Sequence, residues 1–247
     1  MSLYKLWAAR KWAQSIRPTI LNKSTFNTRE PVRGILFDKD GTLLDFTPTW
    51  LPAYKAGALH TARGDATKAH EMLLSTGLDD GTDDFIHGSL LASGTTDQIA
   101  EAWIEHAADQ SLNDLIPQLD QIFADVTAHS CAPFPCLNEL INDLSGRNII
   151  LGLATNDSEV SARAFLKSVK LESLFTYVVG YDSGHGGKPG TGMIEAFCDA
   201  QDLPPGAVMV VGDNHCDLEM GRNGNAGYVV GVLSGNGTRD ELEPFAD

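Results

Sequence analysis

The chain has 247 residues, with 18 Lys and Arg against 33 Asp and Glu, for a formal net charge of −15. The charge is uneven: residues 1–30 hold six basic residues and one acid, Glu30, which leaves 12 basic and 32 acidic groups in the rest. Such an acidic body lacks the basic footprint that nucleic-acid backbones need, 43% hydrophobic residues exclude disorder, and no apolar run approaches the roughly 18–20 residues that span a bilayer.

In chain order, residues 1–29 carry no acid and include Trp7 and Trp12. Their composition is that of an organelle transit peptide, and Leu3, Leu6, Trp7, Ala13 and Ile16 permit a short amphipathic helix. The plainest reading of residues 1–30 is a basic extension with no chemical role. The run Gly34-Ile35-Leu36-Phe37 then predicts a buried strand ending in an Asp-rich turn. From Thr47 to Ser130 the chain lacks Val/Ile-rich runs and reads as about 85 residues of helix. Thr95 with Gln98 has capping-box spacing. Ile99, Trp103 and Ala107 fall on one helical face, and Leu115, Leu119 and Ile122 suggest another helix.

Apolar runs return at Asn148–Ala154, Phe175–Val179, Ala207–Val211 and Tyr228–Leu233. Helical stretches lie at Leu137–Leu144, Ser158–Val169, Gly192–Ala200 and Cys216–Asn223. This alternation predicts an α/β fold: a Rossmann-like, doubly wound parallel sheet with an inserted α-helical cap. The core would comprise residues 31–46 and 132–247, and the cap 47–131. In such sheets ligands sit beyond the carboxyl ends of the strands, which points to Asp38–Thr42, Thr155–Asp157 and Gly212–Asp217. Four cysteines in a chain this long are not a disulfide framework. Reduced thiols and a cytoplasmic setting are expected. Cys131 and Cys136 have no second pair at zinc spacing, and Pro133 and Pro135 mark a linker there.

Asp38 and Asp40, two apart at a strand end before Gly41, can face one site while Lys39 points elsewhere. Alone, the pair also fits an Asx turn or a helix cap. The stretch Asp38-Lys39-Asp40-Gly41-Thr42 resembles the first motif of the haloacid dehalogenase superfamily. Leu153-Ala154-Thr155-Asn156 is similar to the second motif, Lys188-Pro189 to the third, and Gly212-Asp213 through Asp217 to the fourth. The resemblance covers residues 33 to about 240, with all four motifs in order at strand ends.

The resemblance implies a magnesium-dependent phosphatase working through an aspartyl-phosphate. Asp38 would be the nucleophile and Asp40 the general acid and base. Mg2+ would be held by Asp38, the Asp40 carbonyl and Asp213, with Asp217 binding through water or orienting it. Gly41, Thr155, Asn156 and Lys188 would bind the phosphoryl group. Phosphoglycolate phosphatase-type members are the most similar, so a small phosphorylated metabolite is the expected partner, with no nucleic acid and no stable membrane insertion. The oligomeric state stays open. Asp40 argues against dehalogenases and phosphonoacetaldehyde hydrolases, which lack it. A β-phosphoglucomutase-like phosphotransferase would keep every core motif, and a non-catalytic phospholigand-binding member is the remaining alternative. Lys39 reads as a structural or surface residue, and His215 and Cys216 as neighbours of the site. Among Trp50, Tyr54, Lys55, His60 and Arg63, one or two are expected to meet substrate.

Overall fold

A run of four apolar residues, GILF, forms β1 (Gly34–Phe37), and every residue of it is buried. In the computed structural model, which describes residues 29–107 and 110–247, the chain then enters α1 (Phe46–Thr61) and α2 (Ala66–Thr76). The short strands β2 (Leu78–Asp79) and β3 (Asp84–Phe85) follow, then α3 (Leu90–Ser93), α4 (Thr96–Trp103) and α5 (Leu112–Ser130). The helix and transit-peptide readings of the first residues lie outside the described part, apart from Arg29 onward.

The second half alternates. It runs α6 (Leu137–Gly146), β4 (Ile150–Ala154), α7 (Glu159–Ser168), β5 (Phe175–Val179) and α8 (Gly192–Gln201). It ends with β6 (Val208–Gly212), α9 (His215–Asn223), β7 (Tyr228–Gly231) and α10 (Arg239–Leu242). The five long strands form one parallel sheet in the order β5-β4-β1-β6-β7. Side chains alternate across it. Ile35 and Phe37 meet Ile141, Phe165 and Leu166 on one face, while Leu36 meets Ile194, Phe197 and Met220 on the other.

In register, Phe37 lies opposite both Leu153 and Val211. The three central strands therefore release their chains at one height. This leveling brings Asp38, Thr155 and Asp213 together.

The segment between β1 and α6 packs a separate apolar cluster that includes Trp50, Tyr54, Met72, Leu91, Trp103, Leu119 and Phe123. It is not helical throughout, as the sequence suggested. β2 and β3 form an antiparallel pair, Leu78 opposite Phe85, around a turn in which the Gly81 N–H donates to Asp79 Oδ1 at 2.8 Å. Two-residue strands are too short for alternation to show. The capping box at Thr95 and Gln98 is present. Ile99, Trp103 and Ala107 are all buried, although the α-helix stops at Trp103 and continues as a tighter turn. On α5 the third buried rung is Phe123, one residue after the expected Ile122. The two passages between sheet and helices run side by side: the Asp45 N–H donates to the Ala132 carbonyl at 2.9 Å, and that of Phe134 to Leu43 at 3.2 Å.

Candidate active site

Asp38 continues the sheet by one residue, its N–H donating to the Val211 carbonyl at 2.8 Å. The chain then turns sharply. The Leu43 N–H returns to the Lys39 carbonyl, and the Gly41 N–H to the Leu44 carbonyl at 2.9 Å. Gly41 has φ of +80°, and a Cβ there would stand 2.5 Å from Asp213 Oδ2. Both facts demand glycine. Gly41 thus lies beneath the site with its N–H already engaged, and its missing side chain lets Asp213 approach.

Lys188, from the loop between β5 and α8, ties the motifs together. Its Nζ donates to Asp38 Oδ1 and to Asp217 Oδ1, each at 2.5 Å, and to the Ala154 carbonyl at 3.2 Å. Asp217 also caps α9, its Oδ2 accepting from the Asn214 N–H at 3.0 Å. The helix-cap use and the site use of this residue coexist. Asp213 accepts from Thr42 Oγ1 at 3.2 Å and from the Asn236 N–H at 2.9 Å. Thr155 is buried at the end of β4, and its hydroxyl oxygen accepts the Asp157 N–H at 3.1 Å. The Asn156 side chain clamps the backbone of Lys188 and donates to the Ser93 carbonyl of the helical segment at 3.0 Å.

Asp40 is held apart from this group. The Trp50 indole N–H donates to its Oδ1 at 2.5 Å, and Lys39 Nζ lies 2.9 Å from its Oδ2. Lys39 is no surface residue. It is 1% exposed, paired with Asp157 at 2.7 Å and stacked 5.2 Å over the Trp50 ring. Lys39 and Asp157 lie in the strand-end stretches that the sequence singles out, but their pairing beneath the site was not expected. The one local hint was a lysine between two aspartates; its partner lies 118 residues away.

Electrostatics follow from burial. Burial pushes the Asp38 carboxyl up to about 7; Lys188 opposes that rise, while Asp217 and Asp40 add to it. Burial, with Asp38 and Asp217 nearby, holds Asp213 well above the usual carboxylate range. Asp40 is raised as well, by burial first, against the pull of Lys39. For Lys39 and Lys188 burial acts downward, but their carboxylate partners outweigh it and both are raised. These are groups whose protonation has been set by surroundings rather than by water.

Asp38, Asp213 and Asp217 bring ligand oxygens within 4.8 Å of one another. Asp38 Oδ2 is buried without a hydrogen-bond partner. An orphaned carboxylate oxygen among hard oxygen donors fits a divalent cation such as Mg2+. Above these groups lies a cavity of about 60 Å³. Asp38, Asp40, Thr155, Asn156, Lys188, Asp213, Asp217 and Cys216 line it; Gly41 and His215 do not. Of the five residues singled out at the start of the helical segment, Trp50 and Tyr54 line it. Lys55 and His60 instead meet Asp83 and Gln118 at the surface.

Comparison with known proteins agrees with this arrangement. The sequence profile of haloacid dehalogenase-like hydrolases matches residues 35–230. The chain belongs to that family. One relative is the N-acetylmuramic acid 6-phosphate phosphatase of Pseudomonas putida, 27% identical over 78% of this chain and 79% of that protein. Another is the phosphoglycolate phosphatase of Escherichia coli, 23% identical over 78% of each. Among solved structures, a predicted phosphoglycolate phosphatase from Haemophilus somnus superposes with a TM-score of 0.61 at 19% identity. It covers 84% of this chain and 88% of that one, and shows the family fold. Among the described residues, no helix is long and apolar enough to cross a membrane.

Proposed function

We propose that this hydrolase is a magnesium-dependent phosphatase acting on a small phosphorylated metabolite through an aspartyl-phosphate. The observation that carries the reading is the separate handling of two buried carboxylates. Asp38 has one oxygen on Lys188 and the other without a partner, whereas Asp40 is held by Trp50 and Lys39. The first suits a nucleophile and the second a proton carrier.

In the first step an Asp38 oxygen bonds to phosphorus and the bond to the leaving oxygen breaks. That oxygen takes the bond's electron pair and a proton from Asp40, whose carboxyl is pushed by burial above its ordinary range. In the second step Asp40 accepts a proton from water as the water oxygen bonds to phosphorus. Phosphate leaves and the Asp38 carboxylate returns. Lys188 would offset the charge brought together on Asp38, and the Thr155 hydroxyl and the Asn156 N–H, both at the cavity wall, would hold phosphoryl oxygens. Asp38, the Asp40 carbonyl and Asp213 would hold Mg2+, with Asp217 behind them. When bound, the ion neutralises phosphoryl charge as a Lewis acid. In this reading Gly41 serves by giving Asp213 room.

The test is hydrolysis of p-nitrophenyl phosphate with and without Mg2+. Turnover should require the ion and fall to background in Asp38→Asn. Asp40→Asn should lose about 10²–10⁴-fold on an alkyl phosphate and less on the aryl ester, whose leaving group needs little protonation. No turnover above the Asp38→Asn control would end the phosphatase reading.

A further inference from the structure

On the side facing away from the sheet, the cavity is walled by the apolar and aromatic Phe46, Trp50, Tyr54, Leu91, Ile99 and Phe123, with the uncharged Ser93 and Thr96 beside them. None carries charge: burial, with Asp40 and Asp157 nearby, raises the Tyr54 hydroxyl well above its ordinary value, so it stays neutral. The remaining charged lining is Asp38, Asp40, Asp157, Asp213 and Asp217, against the single cation Lys188 among the described residues. Lys188 is already shared between Asp38 and Asp217. Lys39 lies beneath Asp40 and is committed to it and to Asp157. In the helical segment Lys55 pairs with Asp83 and Lys68 with Asp65, away from the cavity lining.

The phosphoryl group therefore uses Lys188 and the Mg2+ proposed above, and a second anion on the same substrate would meet no further cationic side chain among the described lining residues. A carboxylate pressed against Trp50 and Ile99 would lose its water without gaining a cationic partner, beside the Asp40 carboxylate that Trp50 holds. A neutral group there would bury apolar surface against aromatic faces instead. The narrow space above Asp38 favours a compact group.

We infer that the leaving group is compact and uncharged, and that carboxylate-bearing esters such as phosphoglycolate are disfavoured. The inference rests on the phosphatase reading above and replaces the phosphoglycolate expectation within it.

The test compares isobutyl phosphate with phosphoglycolate, nearly equal in shape but differing by the carboxylate. The full chain is assayed with Mg2+, and p-nitrophenyl phosphate reports that the enzyme is active. The neutral ester should have the higher kcat/KM by about ten-fold or more. It should also be the tighter competitive inhibitor of aryl phosphate turnover, which ranks the two even when both alkyl esters react slowly. Phosphoglycolate equal or better, with the aryl ester hydrolysed, overturns the inference and leaves the phosphatase reading standing. No turnover of any ester above Asp38→Asn overturns both.

Discussion

Lys39 shows how much one residue can hold. It is buried between Asp40 and Asp157, and its charge keeps two buried carboxylates from facing each other unpaired. Deleting one partner of a buried ion pair costs about 3–5 kcal/mol, because the other charges stay behind. Lys39→Met should therefore lower unfolding stability by about that amount in urea titrations. Adding Asp157→Asn should recover part of the loss, since the double variant carries one fewer stranded charge. Independent, additive losses would show that the pair is not coupled. Asp38, Thr155 and Asp213 were legible because each sits at or next to a strand end, and Lys188 and Asp217 because each belongs to a short motif. Lys39 was not, because alternation along an extended chain says only that it faces away from Asp38 and Asp40. What lies there is set by α1 and by Asp157, both remote in sequence.

Among the elements, the sheet was more legible than the segment above it. Strands such as β1 and β6 are short apolar blocks, GILF and VMVVG, buried at all but Met209, so composition alone marks them. The helices near the cavity carry a mixed pattern, because α1 turns one face to α5 and another to Asp40. Gly57 illustrates the consequence. Within a helix interior, Gly is about 0.8–1.0 kcal/mol worse than Ala, so propensity says that Gly57→Ala stabilises. Here a Cβ would lie 2.6 Å from Phe123 and 3.2 Å from Leu119, where α1 and α5 touch. Phe123 in turn packs edge-on against Trp50 and Tyr54, with ring centroids 5.7 and 5.3 Å away. Overpacking costs about 1–3 kcal/mol and should win. Gly57→Ala should lower the melting temperature, and activity should fall with it as Trp50 moves from Asp40. A more stable variant with unchanged kinetics would show that the interface yields easily.

At the scale of the whole molecule, the net charge of −15 acquires a location. Five aspartates line one cavity with one lysine beside them. Three of these, Asp38, Asp213 and Asp217, converge closely enough to raise the first two by burial and mutual repulsion. Without a cation this site works against folding, as functional sites often do. A ligand that binds only the folded state stabilises it by about 2.7 kcal/mol at a hundred times its Kd. For a chain of this size that is roughly 5–10 °C in melting temperature. Saturating Mg2+ should therefore raise the melting temperature by about that much, while NaCl at matched ionic strength should not. Asp213→Asn should behave oppositely in two respects: more stable than the parent without Mg2+, because one repelling carboxylate is gone, and nearly indifferent to its addition. Differential scanning calorimetry reads both quantities without any assay of turnover. An equal rise with NaCl, or an Asp213→Asn variant that still responds to Mg2+, would place the cation elsewhere on the acidic surface.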